Sequence, residues 1–88
     1  MTILQMNIYH TLLAIEEEKA KANELPKHTL LVKDNLHERV EQRIGYNVSF
    51  GEFYKALQQL FWDGRVHLGD TATDQYVKVV YREVESAL

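Results

Sequence analysis

The chain has no cysteine, a single proline and only 4 glycines in 88 residues. Without thiols it can hold neither a disulfide scaffold nor a thiolate metal centre, a composition that suits a reducing compartment. With so little Pro and Gly there is no low-complexity linker, and Pro26 marks the one stretch, 23–27, that reads as a connection between packed elements. Long apolar runs are missing as well. Gln5, Asn7, His10 and Thr11 interrupt the hydrophobic segment from Ile3 to Ile15 and no basic region precedes it, so it reads as neither a signal peptide nor a membrane span. A cytoplasmic protein with no membrane partner is expected. Cationic charge is also scarce: 10 Lys plus Arg against 13 Asp plus Glu give −3, and neither half of the chain is basic. Proteins that live on nucleic acid gain much of their affinity by neutralising phosphates, so this balance counts against such a role.

What is present is the composition of an ordinary folded protein, 45% hydrophobic and 26% charged. A chain this short buries roughly 60–65% of its unfolded surface, so residues 1–88 are expected to form one domain around one core. The stretch from Val48 to Arg82 organises it. Ser49 is placed to cap a helix with Glu52 three residues on, and Val48 and Phe53 are placed to close over its first turn. Phe50, Phe53, Tyr54, Leu57, Leu60 and Phe61 recur at helical spacing as the expected buried face, and Gly64 arrives where a left-handed residue would end the helix. Arg65 to Leu68 then alternates, 69–74 is turn chemistry, and Tyr76 to Tyr81 is rich in β-branched and aromatic residues, which predicts an antiparallel hairpin with a polar tip.

Upstream, Thr2 to about Ala22 has a helical pattern with two apolar stripes, one of Met6, Tyr9 and Leu13 and one of Ile8, Leu12 and Ile15. Either the helix is central to its own core or one stripe meets a partner chain, which would make a homodimer through the first helix. Beyond Ile15 the run from Glu16 to Lys21 turns polar and is expected to project into water, with Glu17 and Lys21 as an i,i+4 pair. His28 to Val32 suits a short strand, which leaves Asp34 as N-cap of a second helix that buries Leu36, Val40 and Ile44 and stops at Gly45, with Tyr46 folding back onto Val40. Gly45 to Val48 is then a tight turn between two helices. The tail 83–88 closes the chain, with Val84 and Leu88 available to dock on the first helix.

The expected fold is α+β in the order α-β-α-α-β-β. With the capped helix from Ser49 running through Leu57, Leu60 and Phe61 into Asp63-Gly64-Arg65-Val66, the chain resembles the winged helix-turn-helix superfamily, three helices with a C-terminal hairpin wing. That resemblance implies a small DNA-binding, transcription-regulatory protein, with double-stranded DNA met by the third helix and the wing tip. Carried over by position, the DNA-facing residues are Asn47, Ser49, Glu52, Lys55 and Gln59, with Asp70, Thr71, Thr73 and Asp74 in the wing. Arg39 and Arg43, on one face of the second helix, would flank Lys55 to complete a basic patch. The acidic balance points instead to a winged-helix module that binds protein and not DNA, through Met6, Tyr9 and Leu13 or through Trp62 and Tyr46. Trp62 is otherwise expected to pack under the hairpin or against the first helix.

No enzyme is expected. His10, His28, His37 and His67 sit on different elements, and His37-Glu38-Arg39-Val40-Glu41 departs from the zinc-protease pattern at its last position, so no metal is called for. Ser49 and Ser86 are the only serines and Ser49 is a cap, and the isolated glycines make no phosphate loop, so neither cofactor nor small molecule is expected.

Overall fold

The computed structural model describes residues 1–25 and 27–81. The expected tail 83–88 lies outside the described residues, as do Pro26 and Arg82. In chain order the elements are α1 (Ile3–Ala22), β1 (Thr29–Leu30), α2 (Leu36–Ile44), α3 (Phe50–Trp62), β2 (Val66–Asp70) and β3 (Gln75–Val79). The fold is α+β, and its three strands form one antiparallel sheet in the order β1-β3-β2, with β1 coming from between the first two helices to pair with β3.

Each helix ends for a local reason. Thr2 and Gln5 form a reciprocal capping box at the start of α1, the Gln5 N–H donating to Thr2 Oγ1 at 3.1 Å and the Thr2 N–H to Gln5 Oε1 at 3.2 Å. Asn23 closes the helix in the left-handed region at φ 59°, where Asn is tolerated without a large steric cost. Gly64, at φ 75°, ends α3, with Gly64 N–H donating to Phe61 O at 3.0 Å and Arg65 N–H to Leu60 O at 2.9 Å. The core is built by Ile8, Leu12 and Ile15 of α1, Leu36 and Val40 of α2, Phe53, Leu57 and Leu60 of α3, and Val66, Val77 and Val79 of the sheet.

Several expectations are corrected. Asp34 does not cap α2. Asn35 takes that place at φ 52° without a side-chain cap bond, while Asp34 Oδ2 accepts from the Leu30 N–H at 2.7 Å and from Lys19 Nζ. The polar end of α1 does not all project into water: Glu16 and Lys19, three apart and so on one side of the helix, are buried against β3 and the β1–α2 connection. The buried face of α3 centres on Phe53, Ala56, Leu57 and Leu60, which leaves Phe50 and Phe61 at one edge and exposed. Trp62, two residues and roughly 200° round the helix from Leu60, is 67% exposed and packs under neither the hairpin nor α1. Tyr46 is 59% exposed and lines a groove with Glu38, Gln42 and Phe50. Strand β2 continues through Gly69 to Asp70, so the turn is shorter than expected; a Cβ at Gly69 would run into the ring of Tyr76 opposite it, which would have to shift.

Candidate functional site

The α2–α3 connection is fastened by side chains of α2. Gly45 leaves the helix at φ 93°, and three residues on, Val48 is gripped by both of its backbone groups. His37 Nε2 lies 2.6 Å from Val48 O, and the Val48 N–H donates to Glu41 Oε2 at 2.8 Å. His37 also stacks on Phe53 at 4.8 Å and meets Phe50 edge-on at 5.7 Å. The i,i+4 pair His37 and Glu41 therefore acts as a clamp that sets the angle at which α3 leaves the turn.

Beyond the clamp, Ser49 caps α3, accepting from the Glu52 N–H at 3.2 Å while its hydroxyl donates to Glu52 Oε1 at 3.2 Å. Its polar atoms are used in starting the helix. Phe50 and Tyr54, one turn apart, stack at 5.7 Å, and the Tyr54 hydroxyl accepts from Gln75 Nε2 at 2.7 Å, which ties the hairpin to α3. The solvent side of the turn and helix thus presents Tyr46, Phe50, Phe61 and Trp62, together with Asn47, Lys55 and Gln59. Lys55 is the one Lys or Arg between Tyr46 and Trp62.

The expected basic patch is not assembled. Arg39 reaches Glu18 on α1 at 3.4 Å, and Arg43 lines a groove shared with His10, Leu13 and Glu17 of α1 and with Lys78 and Tyr81. Each stands two residues beyond a clamp residue, roughly 200° round α2, so both arginines face α1 and not α3. In the hairpin, Thr71 Oγ1 accepts from the Asp74 N–H at 2.8 Å and the Thr73 N–H at 3.3 Å and donates to Asp74 O at 2.9 Å, which commits it to the turn. Thr73 and Asp70 are exposed. Asp74 reaches back to the β1–α2 connection, accepting from the Val32 N–H at 3.1 Å, the Lys33 N–H at 2.9 Å and the Gln75 N–H at 2.7 Å. Desolvation pushes the Asp74 carboxyl upward, but the Lys33, Gln75 and Val32 N–H donors and the Lys33 charge outweigh it and hold it below its ordinary value. The hairpin tip is thereby bound back onto the domain.

On α1, Met6 is exposed beside Ile3, whereas Tyr9 and Leu13 are half-buried and pack on the core. Two α1 side chains that sequence reasoning set aside are structural hubs. Glu16 accepts from Lys78 Nζ at 2.9 Å, the Val79 N–H at 2.8 Å and the Tyr81 hydroxyl at 3.1 Å. Lys19 Nζ donates to Asp34 and to His28 O. Burial, then the nearby Lys19 charge, lower the His28 pKa. Its ring stacks on Tyr76 at 4.5 Å, and among the described residues its buried Nε2 has no hydrogen-bond partner. Phe50 and Phe61 were also missed as surface residues; the signal was their place, eleven residues and roughly 20° apart, on one margin of the apolar stripe of α3.

Among the described residues no three His, Asp or Glu side chains converge as metal ligands, and no helix is long and apolar enough to cross a membrane. Comparison with models of known protein families, with curated proteins and with solved structures finds no match to this chain.

Proposed function

We propose that this chain is a winged-helix-like module that docks on another protein through α3 and the turn before it, and that it does not act by reading DNA. The observation that carries this is the display of Tyr46, Phe50, Phe61 and Trp62 on a helix and turn with one cation, Lys55. Large aromatics supply binding energy at protein interfaces, and four of them exposed along one helix and the turn before it mark such a surface. The element order and the β1-β3-β2 sheet support the winged-helix resemblance. DNA contact draws less support, because Arg39 and Arg43 are turned to α1 and the wing tip is acidic and folded back.

Trp62 is the only tryptophan, so its fluorescence reports on this surface directly. Amphipathic helical peptides with an apolar face should shift its emission to the blue on titration, while a mixed-sequence duplex DNA at low salt should leave it unchanged and give no rise in anisotropy. Salt-sensitive duplex binding, with no response to any peptide, would overturn the proposal.

A further inference from the structure

Next to this aromatic surface lies a groove between α2 and the 31–35 connection, lined among others by Val32, Glu38, Gln42, Tyr46, Asn47 and Phe50. Resting on the protein-docking reading above, we infer that the groove takes a cationic apolar segment of the partner, seating an Arg or Lys of that segment against Glu38 and the rings of Tyr46 and Phe50. The lining contains no Lys or Arg. Its carboxylates are Glu41, whose Oε2 is held by the Val48 N–H, and Glu38, which among the described residues meets only a long 3.5 Å approach from Gln42 Nε2. Glu38 is exposed at the rim. The cations next in sequence to its lining are engaged elsewhere: Arg39 reaches Glu18 at 3.4 Å, Arg43 lines the groove beside α1, and Lys33 acts on Asp74 across the hairpin. A mixed site that carries the rings of Tyr46 and Phe50 and the side chains of Leu31 and Val32, with an exposed carboxylate at its edge, complements a positive charge borne on an apolar stem, since the ring faces attract the cation while the stem covers the apolar side chains.

Phe50 joins this groove to the rest of the surface through its stack on Tyr54. One partner helix laid along α3 would place its apolar positions over Phe50, Phe61 and Trp62 and a basic residue at the groove. A partner with an acidic edge would meet Glu38 and be rejected, so the groove sets specificity where the aromatics set affinity.

The test is a fluorescence titration of the full chain with three matched amphipathic peptides whose apolar faces are all Leu and whose flanks are Arg, Gln or Glu. Tighter binding of the Arg peptide by tenfold or more over the Gln peptide is expected, with backbone amide shifts centred on Glu38, Gln42, Tyr46 and Asn47. Glu38→Lys and, separately, Tyr46→Ala should each remove that tenfold preference. Glu17→Lys, an equal change in net charge on α1, should keep it. Equal affinity for the three peptides, or loss of the preference in Glu17→Lys as much as in Glu38→Lys, would overturn this inference while leaving the docking surface standing. Binding of none of the peptides would overturn the docking proposal itself.

Discussion

Glu16 offers the sharpest test of how this fold is held. Strand β1 is only two residues long and its pairing with β3 starts at Thr29↔Val77, so the next N–H on that edge of β3, that of Val79, has no strand to pair with. Alternation along β3 sends the Val80 N–H to Arg65 on the β2 side and the Val79 N–H to the vacated β1 side, where Glu16 Oε2 accepts it at 2.8 Å. The Glu16 side chain is 4% exposed, and it also takes Lys78 Nζ and the Tyr81 hydroxyl. Glu16→Ala would orphan the buried Val79 N–H, at about 1–3 kcal/mol, and lose two further hydrogen bonds. The Lys78 bond is worth less than a buried pair, because the Lys78 side chain is 40% exposed and can be solvated. The sum is about 3 kcal/mol, against a total stability of about 4–13 kcal/mol expected for this length. A fall in Tm of about 15 °C follows. Glu16→Gln keeps an acceptor for Val79 but turns an amide donor toward Lys78, so it should lose about half as much, roughly 1.5 kcal/mol. Lys78→Ala should lose less than either. Urea unfolding followed by far-UV circular dichroism would rank the three variants. A loss below about 1 kcal/mol in Glu16→Ala, or a larger loss in Lys78→Ala, would refute the edge-capping argument.

Other consequences can be checked on the same material. The His28 pKa lies below its ordinary 6.5 in the folded chain, so His28 contributes stability that is present above pH 6.5 and lost as pH falls through the lower folded value; His28→Phe should flatten the slope of stability against pH in acid. Burial, then the Glu16 charge and hydrogen bond, raise the Tyr81 pKa above 10.0. Its share of stability is therefore complete below pH 10.0 and lost as pH rises through the folded value, and in an ultraviolet titration Glu16→Gln should bring the late Tyr81 transition back toward 10.0. Gly69→Ala should destabilise by about 1–3 kcal/mol, since the new Cβ meets the Tyr76 ring and that ring is held against His28; unchanged urea midpoints would argue that the ring swings clear. Asp74→Ala should speed hydrogen exchange at the Val32, Lys33 and Gln75 amides while leaving Leu57 and Leu60 protected, because the connection and the hairpin turn lose their acceptor and the core helix does not.

Local chemistry made much of this fold legible from residues alone. Ser49 with Glu52, Gly45 and Gly64 mark helix ends through side-chain and backbone preferences that act within a few residues, and the 3.6-residue spacing of Ile8, Leu12 and Ile15 selects the core face of α1 wherever its partners lie. The order of helices and strands follows from such signals. What they cannot carry is the identity of a distant partner. Glu16 stands in a run of glutamates that looks solvated, and what buries it is a backbone group 63 residues further on. His37 and Glu41 looked like a broken metal motif until the turn brought Val48 between them. The same holds for the candidate site. Its aromatic residues and its shortage of cations were written in the sequence, but whether Phe50 and Trp62 face the core or the solvent depends on how α3 is rotated against α1 and β2, and that rotation was decided by tertiary packing around Phe53, Leu57 and Leu60.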